Sequence, residues 1–572
     1  MNFTDEIKKE IVKILRESDL LKDENIEVTL ETPPQPEFGD LASKICFSLS
    51  KKLKKSPFDI ANEIVKKIKI QKNSLISKVE TKAGYINFFF NYPKITEIVL
   101  RTILKEKDSY GYSDIGEKKR FMVEFAHPNT HKGFHIGHLR NISIGESISR
   151  ILEFTGHKVF RTNYQGDIGP HVAKALWGFI NLYKCKAPKE NKGEWIGEVY
   201  TEVNKKFSDD ERVNKKIIEI NNKLYDRDKE IFKLWKMTRK WSLDDFEKIY
   251  KQLGAKFDKY YFEGEVEKRA VEISKELLKK SIAKLSEGAI IIDLSEYNLA
   301  VFVLLTREGN PVYESKDLAL AEREFGDFKI DRCIHVVGSE QKLYFQQLFK
   351  VFELIGSPGA GKSYHLVYEL VNLKTGKMSS RLGSVVLYTQ LRDKILKKIY
   401  REIEERNPKL SKKEKQTLAE KIAVGALKYG MLSIGCDKVL VFDWEKALML
   451  EGNTGPYLQY AHTRCNGILN KVKKWEENAV NENLNSEEKK LVKKLSEFPA
   501  VVEQALRDFR PHYLCNYTYE LATVFSEFYH LCPVLRAEKK VLRNFRLSLV
   551  KATKITLKNC LFLLGIDTPE KM

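Results

Sequence analysis

Residues 124–138, Glu-Phe-Ala-His-Pro-Asn-Thr-His-Lys-Gly-Phe-His-Ile-Gly-His, hold the densest chemistry in the chain. Four of the eleven histidines fall here, at His127, His131, His135 and His138. Imidazoles ligate metals, but a metal site needs a convergent ligand set. Pro128 and Gly133 break any helix that would align His127, His131 and His135, and no cysteine or carboxylate cluster adjoins them. No protein-bound structural metal is expected. Position offers a second chemistry. An apolar strand, residues 121–126, precedes this stretch, and a helix from about Ile136 to Phe154 follows it. A strand-to-helix junction collects unpaired N–H groups and the positive end of a helix dipole, and phosphate binds there. His135 and His138 would donate to a polyphosphate, and Gly137 would let a flat ring approach the backbone.

Later in the chain, residues 376–384 read Gly-Lys-Met-Ser-Ser-Arg-Leu-Gly-Ser. A basic loop of this kind can bring a cation to the charge that develops on departing pyrophosphate. Read alone, it is equally a solvated surface loop. Asp317, in Tyr313-Glu-Ser-Lys-Asp317, is by itself an acid at a helix start, where an N-cap is the plainer reading. Residues 356–363, Gly-Ser-Pro-Gly-Ala-Gly-Lys-Ser, match a phosphate-binding P-loop letter for letter. A P-loop must follow a strand and open a helix. Here a helical pattern precedes it and a strand-like run follows, so a surface turn is expected.

These residues need a scaffold. Residues 1–92 pattern as a small α/β domain: an amphipathic first helix, a strand over 26–32, and a helix burying Leu41, Ile45, Leu49 and Leu53. Ser56 and Pro57 then cap a further helix, and a strand over 84–90 closes the domain. From 118 to 390 strands and helices alternate, the pattern of an open, mostly parallel sheet. Residues 186–250 interrupt it with charged helical sequence. Residues 391–450 pattern as a helical connecting stem and 451–572 as a helical bundle, with helix alone expected beyond Tyr388. The fold class is thus a Rossmann-type α/β catalytic domain, with a small α/β N-terminal domain and an all-α C-terminal bundle.

Composition sets outer limits. The 572 residues carry 99 Lys+Arg against 79 Asp+Glu, a net charge of +20, with 42% hydrophobic content. That hydrophobic share supports ordinary globular cores and excludes wholesale disorder. The positive balance fits a polyanionic partner, and equally a lysine-rich composition bias. Eight scattered cysteines without a C-x-x-C pair exclude a disulfide scaffold or a zinc ribbon. No signal peptide or long apolar run is evident, so a soluble, cytoplasmic protein with no membrane partner is expected.

His135-Ile136-Gly137-His138 followed far downstream by Lys377-Met378-Ser379 resembles the class I aminoacyl-tRNA synthetases. The flanking words narrow the resemblance to the arginyl-tRNA synthetases: VEFAHPNTHKGFHIGHLRN, NYQGDIG, Tyr313 to Asp317, GKMSSRLGSVV, GNTGPYLQYAHTR and the ending LLGIDTPEKM. The N-terminal GDLASKICFSLSKKLKKSPFDIA is similar to that family's appended domain, so the resemblance spans nearly the whole chain. It implies activation of L-arginine with Mg-ATP to an arginyl adenylate and release of pyrophosphate. Transfer to the 2′-hydroxyl at the 3′ end of tRNA(Arg) then releases AMP. It further implies that activation requires bound tRNA, and a monomer is expected.

The resemblance also implies roles. His135, Gly137, His138, Lys377, Met378 and Ser379 would bind ATP. Glu124, Asn129, His138 and Gln341 would place the arginine backbone, while Tyr313, Asp317 and Glu265 would hold the guanidinium. A planar fork of carboxylates distinguishes that always-charged group from lysine. This chain departs from the family twice. Ser380 stands where the class loop carries a second lysine, and Lys132 is expected to neutralise phosphate in its place. Val266 replaces the usual serine after Gly264-Glu265. The stretch from His138 to Lys377 must also contain much of the sheet, leaving no room for an editing domain of ~100–200 residues. In the C-terminal helices Tyr457, Tyr460, Arg464 and Tyr529 could stack anticodon bases and hold phosphate, or could equally be core.

Overall fold

The computed structural model describes residues 3–21, 27–373, 386–477 and 479–572. The N-terminal unit comprises α1 (Phe3–Arg16), β1 (Leu30–Glu31), β2 (Leu41–Ser43), α2 (Ile45–Leu53), α3 (Pro57–Lys67), β3 (Ile76–Lys82) and β4 (Tyr85–Phe90). Its sheet runs β1-β2-β4-β3, antiparallel throughout. Ser56 caps α3 by accepting from the Asp59 amide, with Pro57 at the first helical position. Leu41 is not in the expected helix. Pairing with Phe88 draws it into β2, so α2 begins only at Ile45. The strand expected over 26–32 is confined to Leu30–Glu31; Ile26 lies outside the described residues.

After α4 (Tyr92–Glu106) come β5 (Arg120–Glu124), α5 (Ile136–Phe154), β6 (Lys158–Gln165) and α6 (Pro170–Asn181). The charged interruption is three helices: α7 (Lys192–Phe207), α8 (Glu211–Tyr225) and α9 (Lys229–Gln252). The alternation resumes with β7 (Lys259–Phe262), α10 (Glu263–Lys279), β8 (Lys284–Ser286), β9 (Ala289–Ile292), β10 (Phe302–Leu305) and α11 (Tyr313–Phe328). It ends with β11 (Arg332–Gly338), α12 (Lys342–Ile355), β12 (Ser363–Tyr368) and β13 (Val371–Leu373). Five strands form one parallel sheet in the order β12-β11-β5-β6-β7. The chain leaves β5 toward β6 on one side, and β11 returns to its other side. The crevice beyond their carboxyl ends is the switch point at which such sheets bind ligands. The P-loop-like segment joins α12 to β12, helix to strand, the reverse of what a P-loop needs.

The remainder is α13 (Tyr388–Arg406), α14 (Lys412–Leu432), β14 (Leu440–Phe442), α15 (Trp444–Ala447), α16 (Gly455–Leu469), α17 (Ser486–Asp508), α18 (His512–Leu531) and α19 (Lys540–Leu563). Helix alone was expected here, yet β14 pairs in parallel with β13. Three apolar residues too short to form a helix find a strand edge instead. One continuous core joins the N-terminal unit, α5, α14 and the bundle. Tyr110 is buried within it and donates to the Leu495 carbonyl at 2.7 Å.

Candidate active site

The backbone between β5 and α5 is unusual. Ala126, His127 and His131 all have positive φ, at 82°, 49° and 62°. Each such non-glycine residue costs on the order of 1–3 kcal/mol and persists only where surroundings fix it. The surroundings are specific. Asn141 accepts from the Ala126 amide at 2.6 Å and donates to the Val336 carbonyl at 2.7 Å. His131 is fully buried, its ring nitrogens on the hydroxyls of Thr130 and Thr238, its amide on Ser242. This histidine fastens the loop to α9, and burial pushes its pKa down to about 3.

His135 and His138 form a reciprocal cap on α5. His135 Nδ1 accepts from the Gly137 amide at 3.1 Å, and His138 Nδ1 accepts from the His135 amide at 3.2 Å. With each Nδ1 used as an acceptor, the proton of each neutral ring sits on Nε2, the atom turned away from the cap. Burial, then the charge of Lys132, holds His135 down at about 4; burial and its neighbour His135 hold His138 well below the usual histidine value. Both are therefore neutral donors at the positive end of a helix, a phosphate-binding arrangement. A Cβ at Gly137 would lie 2.9 Å from the His135 ring, so this turn of the cap requires glycine.

A cavity of about 900 Å³ opens at this cap. Asn129, Lys132, His135, His138 and Gln341 all line it, so five of the expected site residues come together. Lys132 lies over the Tyr200 ring of α7, with Nζ 5.4 Å from its centroid. The interrupting helices press on the turn that carries it: a Cβ at Gly197 would meet the Gly133 amide at 2.8 Å.

Lys377, Met378 and Ser379 lie outside the described residues, as does Ser380. The chain on either side of them is fastened to the cap. Tyr388 donates to Phe134 and Ile136 to Val386, at 2.9 and 3.3 Å, with His135 bridged to Leu387. On the entering side, Arg140 of α5 is fully buried and donates to the carbonyls of Glu369, Leu370, Gly435 and Lys438.

Glu124, Tyr313 and Asp317 do not line the cavity at the cap; Glu124 and Asp317 line a separate, smaller one. Asp317 is on the second turn of α11, whose N-cap is Val312, so the N-cap reading does not hold. Its Oδ2 accepts from the Tyr344 hydroxyl at 2.5 Å, while Oδ1 is buried without a protein partner. Tyr313 packs edge-on to Tyr344 with ring centroids 5.0 Å apart. Burial drives the Asp317 carboxyl well above its usual value; Tyr344 lowers it, and the charges of Glu124 and Glu263 raise it further. A bound cation would relieve this directly.

Glu265 is not part of that pocket. It pairs with Arg323 at 2.9 Å, its side chain 44% exposed. The acid facing inward is Glu263, beside Asn129 over Gly166 and 3.1 Å from Lys316 Nζ. Two residues are about 200° of helix, which puts the two carboxylates on opposite faces. Glu263, Tyr344, His335 and Glu324 were not singled out from sequence; Tyr344, one helical turn after Gln341, carried the one available signal, its spacing.

In the bundle, Arg464 donates to the Tyr460 hydroxyl at 3.2 Å and lies over the rings of Tyr460 and Tyr529. Tyr457 instead packs against Tyr519. Among the described residues no group of three or more His, Cys, Asp or Glu is placed to hold a metal ion.

A parallel sheet whose switch-point helix is capped by two neutral imidazoles is the architecture of the class I aminoacyl-tRNA synthetases. The family model for the catalytic domain of class I (R) tRNA synthetases matches residues 99–444. The arginyl tRNA synthetase N terminal domain matches 2–90 and the DALR anticodon binding domain 458–572. The arginine–tRNA ligase of Clostridium perfringens is 35% identical over 99% of this chain and 100% of its own length. That of Pyrococcus furiosus is 34% identical, with 99% of each chain covered. The Thermus thermophilus arginyl-tRNA synthetase structure superimposes with a TM-score of 0.81 at 26% identity, covering 99% and 100% of the two chains. The chain belongs to the arginyl-tRNA synthetase family.

Proposed function

We propose that the chain is an arginine–tRNA ligase that uses ATP to activate L-arginine and charges tRNA(Arg). The observation that supports this reading is the cavity that two neutral imidazole donors line together with Asn129, Lys132 and Gln341, beside the buried Asp317 held by Tyr344. Asp317, oriented by Tyr344, and Glu263, oriented by Lys316, receive the guanidinium, with Tyr313 covering it. Asn129, Gln341 and Glu124 place the α-amino and carboxylate groups. A carboxylate oxygen of arginine then attacks the α-phosphorus of ATP, and pyrophosphate leaves. His135 and His138 donate from Nε2 to the phosphates, with Gly137 beside the adenine and Lys132 neutralising charge in place of a second loop lysine. Lys377, Met378 and Ser379 supply the remaining contacts to the leaving group. Magnesium enters with ATP as the counter-ion of its phosphates. In the second step the 2′-hydroxyl of the terminal ribose attacks the carbonyl, and AMP leaves. Placement and charge stabilisation account for catalysis, and no enzyme nucleophile is required.

Residues 1–92 and 451–572 are assigned to the tRNA, 118–390 to catalysis and 391–450 to the stem between them. Tyr460, Arg464 and Tyr529 are the anticodon-side candidates; Tyr457 is secondary. A monomer is part of this proposal. Among the described residues no helix is long and apolar enough to cross a membrane; action in the cytoplasm is part of the proposal. Charging of a tRNA transcript with labelled arginine, against lysine, tests the assignment. Arginine-specific charging supports it; charging with lysine alone rejects it.

A further inference from the structure

Behind Asp317 the fold encloses a cavity of about 20 Å³, whose polar lining is Glu124, Asp317, Glu324, His335 and Ser363. Such a space has room for one water molecule and no more. Glu124, Glu324 and His335 are only 4%, 1% and 7% exposed. Glu124 ends β5, and His335 stands beside it in register on β11, with Nδ1 3.5 Å from the Glu124 carboxylate. Glu324 arrives from α11, and its carboxyl lines the same small cavity as that of Glu124. Glu124 Oε2 and Glu324 Oε1 are both buried without a protein hydrogen-bond partner. Ionised carboxylates are acceptors only, so two that line one small cavity with unpartnered oxygens call for a proton on one of them. Two carboxylates meeting in a dry site cannot both be charged.

We infer that Glu324 is a positioning residue that carries this proton, donating it to Glu124 and so holding the Glu124 carboxylate in place for arginine. The inference rests on the proposed contact between Glu124 and arginine. Burial, then the charge of Glu124, pushes the Glu324 carboxyl well above its usual value, and Asp317 and Asp327 on its own helix act the same way. Burial also acts upward on Glu124, but His335 and His127 outweigh it and hold that carboxyl low. Tyr261 of β7 and Cys333 of β11, whose own pKa values are raised, also face Glu324. The proton therefore resides on Glu324. A carboxyl whose folded pKa is raised contributes stability fully present below its unfolded pKa and lost as pH rises toward the folded value.

The test uses the full-length protein with Glu324→Gln, which keeps a neutral donor but cannot titrate, and Glu324→Leu, which removes the donor. Arginine and ATP KM values and the thermal midpoint are followed from neutral to alkaline pH, the direction in which a proton held by a raised carboxyl is lost. The expected result is a near-normal arginine KM for Glu324→Gln, without the alkaline rise of the wild type. Glu324→Leu raises the arginine KM by at least ~10-fold, the scale of one hydrogen bond to a charged group, and leaves the ATP KM unchanged. The wild type loses more thermal stability as pH rises than Glu324→Gln does, the remaining slope belonging to other raised groups such as Asp317. Should the leucine variant fail to fold, the glutamine pH profile decides alone. Equal impairment of both variants overturns the inference, as do identical stability–pH curves for wild type and Glu324→Gln. The stability curves need no arginine. A normal shared-proton signature with an arginine KM that neither variant moves would overturn the positioning role and reject Glu124 as an arginine contact. It would leave the wider functional reading intact.

Discussion

The rings of His135 and His138 stack 3.8 Å apart at 19°, and each Nδ1 is already occupied by a backbone amide. One device therefore serves two ends: it caps α5 and fixes two Nε2–H donors side by side. Replacing His135 with alanine should lower kcat/KM for ATP by ~10²–10³-fold, the scale of one pre-organised donor. Stopped-flow or exchange kinetics on a variant with wild-type circular dichroism checks this.

Neutral buried imidazoles also predict an acid limb in stability. His131, His135 and His462 have folded pKa values pushed down, chiefly by burial, to about 3, 4 and 4. The unfolded chain takes up protons near pH 6.5 whereas the folded one does not. Their contribution is thus complete above about pH 6.5 and is lost as pH falls toward about 4. Denaturant titrations across that window should show net proton uptake on unfolding.

The guanidinium pocket predicts a charge-specific loss. Asp317→Asn should cost ~10³-fold or more in kcat/KM for arginine, because it removes the counter-charge from a buried site. Tyr344→Phe should cost ~10–100-fold by freeing the Asp317 carboxylate from its hydrogen bond. Steady-state charging kinetics at saturating ATP separates these from effects on nucleotide binding.

Glu263 and Glu265 form an internal control. Glu265→Gln breaks an exposed pair with Arg323, of a type worth about 0–1 kcal/mol, and should leave arginine KM unchanged. Glu263→Gln should raise it by ~10-fold or more, the scale of a charged hydrogen bond. Equal effects from the two would contradict the register of α10.

The contrast between these two acids shows where sequence reading reaches its limit. Around His135 a strand pattern, a loop and a helix pattern bracket the histidines, so both position and chemistry were legible. At Glu263 no side-chain cap marks the helix start, and the resemblance alone named Glu265, which here pairs with Arg323 on the face opposite Glu263. The Glu124–Glu324–His335 cluster depends on β5 lying beside β11, a register set by residues more than 200 apart in sequence. No local period encodes that. The β13–β14 pair, three residues each, is likewise too short to show any period. Fastening of the loop flanks to the cap at Phe134, Ile136 and Arg140 became visible only in three dimensions.

The central claim is that one crevice joins an ATP site to a pocket that demands a positive guanidinium. ATP–pyrophosphate exchange with arginine, lysine and citrulline, with and without tRNA, tests it most directly. Citrulline has arginine's shape without its charge, so the account predicts exchange with arginine alone, and only when tRNA is bound. Exchange with citrulline at a comparable rate would contradict it.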